Sequence, residues 1–340
     1  MNLKYNGTMK TRKLRDLDVS AVGMGCMGFT HGYGAAPDET ESIRLIRKAF
    51  DCGCTFFDTA EVYSTYINEE LVGKAIKPFR NKVVISTKFS PFFLPGQEIP
   101  EGKLSRRGIR NALEGSLKRL QTDYIDLYTE HRVPHDSNVE EVAFWMGELI
   151  REGKIRAWGQ SVSTPDQIRK AHAVTPLTAV QSEYSIMGRQ WEKDVIPLCG
   201  ELGIGFVAFA PMAGGFLSGK YDKNMQYSGD DVRRVITRFK PENMEANRPL
   251  LDLLNRYATE KHATLAQISL AWIMHRADYI VPIPGMRKEE RIIENLGAAE
   301  VELTTAEFLR IESELNNITI YGDRKDEDIA KLGTIRIMPD

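Results

Sequence analysis

The chain has 340 residues, of which 42% are hydrophobic and 27% charged, so that a disordered protein is excluded. Its 45 Lys and Arg nearly balance 47 Asp and Glu, for a net charge of −2, which argues against a nucleic-acid-binding protein. No apolar run approaches the roughly 20 residues that cross a bilayer, so no membrane association is expected.

The N-terminal and cysteine patterns bear on the cellular compartment. Residues 1–10 lack the apolar stretch of a secretory signal. Four cysteines are too few for a disulfide scaffold in a chain of this length, and the pair Cys52 and Cys54 has no partner cluster that would complete a metal site. We therefore expect a cytoplasmic protein without a bound metal.

The chain begins with an alternating segment and continues with repeated strand and helix patterns. Residues 9–20 alternate and turn at 15–18, which predicts a β-hairpin. Amphipathic segments such as 107–120 separate short apolar runs. Because these runs are apolar throughout, they favour a parallel sheet that is covered on both faces. The runs that predict strands are 21–25, 55–58, 82–88, 124–131, 155–161, 178–181, 205–210 and 279–283.

Eight β/α repeats without a linker predict a single-domain (β/α)8 TIM barrel over residues 1–340. The rival architecture, an open doubly wound sheet, is disfavoured because no Gly-x-Gly-x-x-Gly opens a helix after the first strand. The chain is longer than a minimal barrel, and further helices are predicted over 249–261, 264–275 and 304–316. Residues 317–340 are predicted to form a polar tail.

Polar side chains end three consecutive predicted strands. Asp58 ends the second strand, with Tyr63 shortly after it, whereas Lys88 ends the third and His131 the fourth. In a barrel the carboxyl ends of the strands surround one mouth, where active sites lie. The sequence therefore predicts that these four side chains converge.

Together the four residues suit proton donation to a carbonyl group. An ammonium at Lys88 would stabilise a Tyr63 phenolate, and Asp58 would hold the ammonium charged and oriented. His131 would hydrogen-bond the carbonyl oxygen and aim it at Tyr63. The carbonyl carbon also needs a hydride, which no side chain supplies, so a nicotinamide cofactor is implied.

Further motifs accompany these four residues along nearly the whole chain, from the hairpin to about Leu303. They are Phe57-Asp58-Thr59-Ala60-Glu61-Val62-Tyr63, Ser86-Thr87-Lys88, Glu130-His131-Arg132, Gly153-Lys154-Ile155-Arg156, Val180-Gln181-Ser182-Glu183-Tyr184-Ser185, Gly215-Phe216-Leu217-Ser218-Gly219-Lys220 and Pro282-Ile283-Pro284-Gly285-Met286-Arg287. Together they resemble the motifs of the aldo-keto reductases, in particular the bacterial-type long-chain branch. The resemblance implies a barrel that reduces aldehydes or ketones with NADP(H). It also implies that Tyr63 is the proton donor, that Lys88 and Asp58 tune its pKa, and that His131 orients the carbonyl.

The same resemblance implies which residues bind NADP(H). Ser161 and Gln181 would hydrogen-bond the nicotinamide carboxamide, and Phe209 would stack under the ring. Arg287 and Arg291 would bind the 2′-phosphate that distinguishes NADP from NAD. Further contacts are implied at Gly25, Pro211, Gly215, Leu217, Gly285, Glu294 and Asn295, the last of these to the adenine.

The chain departs from the family pattern at three places in this cofactor site. Val162 stands where asparagine or glutamate is usual, so one carboxamide contact is lost. Ala210 replaces a serine hydroxyl, and Ala213-Gly214-Gly215 lacks an arginine that meets the cofactor phosphates. We expect weaker cofactor binding unless another cation compensates. Residues 221–247, charged and without periodicity, are predicted to form a mobile loop over the cofactor.

On the substrate side, Met27, Phe29 and Phe92 are apolar residues predicted near the barrel mouth. They favour hydrophobic or aromatic carbonyl compounds over charged sugars. The sequence leaves the individual small-molecule substrate, the direction of the reaction, and the choice between monomer and homo-oligomer open.

Two other functions remain open at this point. Some members of the family are auxiliary subunits of membrane channels, in which the cofactor acts as a redox sensor with little turnover; tight cofactor retention and a stable partner complex would favour this function. The other is a Schiff-base lyase with Lys88 as nucleophile, which borohydride trapping of substrate on that lysine would support.

Overall fold

The computed structural model describes residues 9–90, 104–325, 328–329 and 332. The predicted N-terminal hairpin is confirmed: β1 (Thr11–Leu14) pairs antiparallel with β2 (Leu17–Ser20). Leu14 and Val19 are fully buried in the cluster that fills the barrel interior, so the hairpin closes one end of the barrel. At this contact Gly205 needs to be glycine, because a Cβ there would lie 2.6 Å from the Leu14 Cα.

Eight parallel strands pair in chain order to form the barrel wall. The last strand meets the first through backbone hydrogen bonds, with Gly23 N donating to Pro282 O at 2.9 Å and Gly25 N to Pro284 O at 3.1 Å. The predicted (β/α)8 fold is therefore confirmed. The strands are β3 (Met24–Gly25), β4 (Phe56–Asp58), β5 (Val84–Phe89), β6 (Ile125–Glu130), β7 (Ile155–Ser161), β8 (Ala179–Glu183), β9 (Gly205–Phe209) and β10 (Ile280–Pro282).

The helices pack around the outer face of this wall through their apolar stripes. Polar residues that precede several of them cap the first turn; the Asp38 carboxylate accepts from Glu41 N at 2.8 Å, for example. In the described residues the helices are α1 (Glu39–Asp51), α2 (Ile67–Ile76), α3 (Arg106–Leu120), α4 (Val139–Arg151), α5 (Pro165–Val174), α6 (Val195–Leu202), α7 (Pro241–Ala246), α8 (Arg248–Glu260), α9 (Leu265–Arg276), α10 (Glu289–Leu296) and α11 (Thr305–Leu315). None of them is both long and apolar enough to span a membrane.

The segment 221–247, which the sequence predicts to be a mobile loop without periodicity, contains short regular elements. It holds 3₁₀ turns at Val232–Arg234 and Thr237–Phe239 and the helix α7. Buried apolar side chains anchor it, among them Ile236 and Met244. These buried residues are isolated and irregularly spaced along the segment. The sequence therefore shows no hydrophobic periodicity from which its short helices could be predicted.

The predicted polar tail also folds back onto the barrel over its described part. Asn247 and Tyr321 exchange two hydrogen bonds of 2.9 Å between side chain and backbone. Asp323 N donates to the Thr237 hydroxyl at 2.8 Å. Ile329 is buried and lines the cavity at the barrel mouth. The tail is therefore part of the wall around the site.

Candidate active site

The four predicted catalytic residues lie at the carboxyl ends of neighbouring strands. Asp58 is the last residue of β4, Lys88 lies near the end of β5, and His131 follows β6 directly. Lys88 Nζ is 2.6 Å from Asp58 Oδ2 and 3.4 Å from the Tyr63 hydroxyl. The rings of Tyr63 and His131 meet edge to face at 6.0 Å. The structure thus places these side chains together, as the sequence predicts.

Lys88 is held as a charged, fully buried group. Its ammonium also donates to the Thr59 carbonyl at 2.7 Å. Burial alone would lower the pKa of Lys88, but the Asp58 carboxylate, together with Tyr63, raises that pKa above its ordinary value. The other oxygen of Asp58 accepts from Ser86 Oγ and Gln181 Nε2, both at 2.9 Å. A buried ion pair needs such additional hydrogen bonds to be stable.

His131 is held as a neutral imidazole. Burial, reinforced by the nearby Lys88 and Arg132 cations, lowers the pKa of His131 well below its usual range. Its Nδ1 lies 3.1 Å from the Ser90 hydroxyl, and Ser90 N donates to Glu61 Oε1 at 2.8 Å. A hydroxyl that donates to Nδ1 leaves the ring proton on Nε2, where it can be donated to a carbonyl oxygen.

The loop that carries Tyr63 is strained. Ser64, Thr65 and Tyr66 all have left-handed φ angles, of 49°, 55° and 75°. Such residues cost about 1–3 kcal/mol each and are found where the surroundings fix them. Here the buried Asn68 donates to Cys26 O at 3.0 Å, which ties the loop to the end of the first barrel strand.

A second histidine borders Tyr63 and was not predicted. The His31 ring lies 5.5 Å from the Tyr63 ring, and its Nδ1 is 3.1 Å from Ser64 Oγ. His31 follows the first barrel strand within an irregular segment, so no pattern in the sequence singles it out. Burial lowers the pKa of His31, so that a neutral ring faces the tyrosine.

A cavity of about 620 Å³ opens at these residues and extends across the barrel mouth. It brings together most of the positions that the sequence analysis selects. The selected residues that line it are Gly25, Met27, Asp58, Tyr63, His131, Gln181, Phe209, Pro211, Gly215, Gly285, Arg287, Arg291 and Asn295.

Five selected residues in the described part of the chain do not line the cavity: Lys88, Leu217, Phe29, Glu294 and Ser161. Leu217 is fully buried in the core, and its backbone N–H donates a hydrogen bond to Met212 O at 3.3 Å. Phe29 is likewise buried in the core, where it contacts other apolar side chains. Glu294 lies behind the cavity wall, where it pairs with Arg291. Ser161 is buried and accepts a hydrogen bond from Arg132 at 3.2 Å. Phe92 lies outside the described residues.

The two predicted phosphate-binding arginines have different surroundings. Arg287 donates to the carbonyls of Tyr33 at 2.7 Å, Ala35 at 3.2 Å and Gly34 at 3.4 Å, so it holds the loop beside the cavity. Burial also lowers the pKa of Arg287. Arg287 also lines the cavity, so its contact with the 2′-phosphate stays a prediction beside this role in supporting the loop. Arg291 keeps the predicted position at the cavity wall.

Arg233 lies near the place where the sequence lacks the family arginine. A Cβ at Gly214 would lie 3.0 Å from the Phe239 ring and 4.0 Å from Arg233 Cγ, so both side chains lie against this glycine. Arg233 also lines the cavity, where it is paired with Asp231 and lies 4.6 Å from the Tyr221 ring. This arginine belongs to the segment 221–247, which the sequence predicts to be a loop.

The residue before His131 is a buried carboxylic acid. Neither oxygen of Glu130 has a hydrogen-bond partner among the described residues. Burial raises the pKa of Glu130 to about 7, and the nearby Gln160 and Ser137 only partly oppose this. The folded chain thus keeps a proton that the unfolded chain releases near pH 4.5. The free energy of unfolding is therefore expected to fall as the pH rises from about 4.5 to about 7.

We expect Glu130→Gln to remove this pH dependence. At pH 8 the variant should gain roughly 3 kcal/mol in the free energy of unfolding, at about 1.4 kcal/mol per pKa unit, because no carboxylate needs to ionise in the core. At pH 4 it should match the parent protein. Urea unfolding at both pH values checks this, and an equal change at both would contradict the assignment.

Within the described residues no group of three His, Cys, Asp or Glu side chains is arranged to hold a metal ion. The charged side chains that line the cavity are mainly arginines, which suit anionic ligands.

Comparisons with known proteins agree with the geometry. The model of the Aldo/keto reductase family matches residues 21–316. A probable aldo-keto reductase 1 from Glycine max is 39% identical over 297 residues, which cover 86% of this chain and 85% of the relative. A glycerol dehydrogenase from Gluconobacter oxydans has a similar structure, with a TM-score of 0.80 at 25% identity, covering 92% of this chain and 96% of that one. An aldo/keto reductase from Klebsiella pneumoniae, in complex with NADP and acetate, has a TM-score of 0.70 at 26% identity and covers 90% and 95%.

Proposed function

Since the chain belongs to the aldo-keto reductase family, we propose that it is an NADP(H)-dependent oxidoreductase that reduces an aldehyde or ketone to an alcohol. The observation that carries this proposal is the chain of contacts from Asp58 through the Lys88 ammonium to the Tyr63 hydroxyl, beside the His131 ring. Asp58, Tyr63 and His131 line a cavity that is also lined by the arginines expected to bind a phosphorylated cofactor.

Each of the four residues has a step in this reaction. Tyr63 donates its proton to the carbonyl oxygen, and the Lys88 ammonium stabilises the phenolate that is left. Asp58 keeps Lys88 charged, and the neutral His131 orients the carbonyl oxygen by a hydrogen bond. The nicotinamide, when bound, supplies the hydride to the carbonyl carbon.

The chemistry of the cavity fits a phosphorylated dinucleotide. Arg291 and Lys288 supply positive charge at the wall near α10, and Arg233 lines the same cavity from another segment. Phe209 offers an apolar ring in this cavity. A Cβ at Gly285 would meet no atom closer than Gly25 O at 4.0 Å, so the backbone there is open to a ligand. The NADP bound to the relative from Klebsiella pneumoniae supports the same cofactor here.

Arg291→Ala is expected to weaken binding of NADPH by about 10- to 100-fold, the equivalent of one charge-assisted hydrogen bond, and to affect NADH much less. The reason is that only NADPH carries the 2′-phosphate. Fluorescence titration of both cofactors measures the effect, with Arg248→Ala as a control on an exposed helix. Equal losses for NADPH and NADH would contradict the phosphate contact.

A carbonyl panel, assayed by oxidation of NADPH beside NADH, tests the proposed function directly. Tight retention of NADPH without turnover of any carbonyl would favour the auxiliary-subunit function instead. The geometry disfavours the Schiff-base lyase, because a nucleophilic lysine needs a neutral, accessible amine. Lys88 is fully buried, and its contacts raise its pKa.

A further inference from the structure

The Tyr63 ring has two imidazole neighbours in one cavity. The centre of the His31 ring lies 5.5 Å from the Tyr63 ring centre, and that of the His131 ring lies 6.0 Å from it. All three side chains line the cavity. The proposed reaction uses His131 to orient the carbonyl oxygen, but it leaves His31 without a task.

His31 is held in the same way as His131. His31 Nδ1 lies 3.1 Å from the Ser64 hydroxyl, and the Thr30 hydroxyl is more distant at 3.5 Å. His131 Nδ1 lies 3.1 Å from the Ser90 hydroxyl. Burial lowers the pKa of both rings, so each is a neutral imidazole with one donor and one acceptor nitrogen.

The surroundings of Ser64 favour its hydroxyl as the donor to His31. In the part of the chain that the structure describes, His31 Nδ1 is the only hydrogen-bond partner of this hydroxyl. Ser64 also has a left-handed φ of 49°, a strained conformation of the kind found at ligand sites. A hydroxyl that donates to Nδ1 leaves the ring proton of His31 on Nε2.

The backbone on both sides of the His31 ring is fixed by hydrogen bonds. His31 N donates to Met27 O at 3.3 Å, in the turn that follows β3. Gly32 N donates to the Asp230 carboxylate at 2.8 Å, and Val232 N donates to Gly32 O at 3.0 Å. The loop therefore holds the imidazole in one place, as a binding group requires.

The second nitrogen of each ring, Nε2, is available to a ligand. Within residues 9–90, 104–325, 328–329 and 332, no protein group forms a hydrogen bond with Nε2 of His31 or of His131. Neither nitrogen is sealed in the core, since both rings line the cavity. A molecule in this cavity thus meets two imidazole donors beside one tyrosine.

The carbonyl oxygen of the substrate has no place for a third donor. It has two lone pairs, and in the proposed reaction the Tyr63 hydroxyl and His131 Nε2 donate to both. The proton on His31 Nε2 therefore suits a different acceptor atom of the same substrate.

We propose that His31 binds a second oxygen of the substrate, and that the substrate is an aldehyde or ketone that also carries a hydroxyl or ether oxygen. This inference rests on the proposed function. The carbonyl group is reduced as described above, with Tyr63 protonating its oxygen. The second oxygen only accepts a hydrogen bond from His31 Nε2 and is unchanged in the alcohol product.

Three pairs of aldehydes test this assignment without assuming where the second oxygen lies. Methoxyacetaldehyde, 3-methoxypropanal and 4-methoxybutanal are paired with butanal, pentanal and hexanal, in which a methylene group replaces the ether oxygen. An ether oxygen accepts a hydrogen bond but cannot donate one, so it detects a donor. The ratio of ether to alkyl kcat/KM is measured within one variant by NADPH oxidation, so that a general loss of folded protein cancels.

The intrinsic reactivity of each aldehyde is the same for every variant, so the ratio is compared between the parent protein and His31→Phe. Phenylalanine keeps a ring beside Tyr63 but has no N–H. For at least one pair we expect His31→Phe to lower the ratio by about 5- to 20-fold, the effect of one hydrogen bond. The matched control is His135→Phe, which replaces an exposed histidine that does not line the cavity and should leave all three ratios unchanged.

Two shorter amide variants identify the nitrogen that acts. The amide of His31→Gln can take the place of Nε2 and should keep part of the ether preference. The amide of His31→Asn reaches only the place of Nδ1 and should lose the preference. A ratio for the glutamine variant that is no higher than that for the asparagine variant would overturn the assignment of Nε2.

Equal ratios in the parent protein and His31→Phe for all three pairs would overturn the inference while leaving carbonyl reduction intact. A His31→Phe variant that loses NADPH affinity in a fluorescence titration, with unchanged ratios, would assign His31 to the cofactor and also overturn it. If no aldehyde oxidised NADPH in the parent protein, the proposed function would fail, and this inference with it.

Discussion

Tyr63→Phe is expected to lower kcat for carbonyl reduction by about 100- to 10,000-fold, the usual contribution of a positioned general acid. The hydroxyl is the group that lies 3.4 Å from Lys88 Nζ at the cavity wall, and phenylalanine removes only that oxygen. The ring contacts with His31 and His131 are retained, so the loop should keep its conformation. Steady-state rates with a neutral aromatic aldehyde measure the effect.

Cofactor titration serves as the control for this variant. The dissociation constant for NADPH should change little, because no cofactor contact is assigned to the Tyr63 hydroxyl. Turnover close to that of the parent protein would reject Tyr63 as the proton donor. A large loss of NADPH affinity would instead show that the ring or its loop helps to form the cofactor site.

Lys88→Met is expected to lower the free energy of unfolding by about 3–5 kcal/mol and to abolish reduction. The substitution leaves Asp58 as a buried carboxylate without its cation, and breaking a buried ion pair from one side has a cost of this size. Asp58 keeps only the neutral donors Ser86 and Gln181. Urea unfolding, with the m-value checked for two-state behaviour, gives the stability change.

The double variant Lys88→Met with Asp58→Asn separates the ion pair from the general effect of altering the core. Since no unbalanced charge remains, it should lose less stability than the sum of the two single variants. It should still be inactive, because the ammonium that supports Tyr63 is gone. A loss equal to that sum would mean that the two residues are not coupled in the folded state.

The sequence alone was enough to predict the barrel and the convergence of its catalytic residues. Strands that are buried on both faces are apolar throughout, so their positions could be predicted from runs of apolar residues. Most of the predicted strand bounds lie close to the observed ones. Parallel pairing in chain order then places the ends of β4, β5 and β6 side by side. Asp58, Lys88 and His131 meet for that reason.

Only the tertiary structure decided which cations serve which part of the cavity. Arg287 supports a neighbouring loop, Arg233 lies beside Gly214 from a distant segment, and Arg324 reaches Phe209 from beyond α11. The positions of these arginines depend on irregular segments, which are anchored by individual buried side chains such as Ile236 and Ile329. Contacts of this kind have no period along the chain, because each forms between residues far apart in sequence that meet only once the barrel has folded.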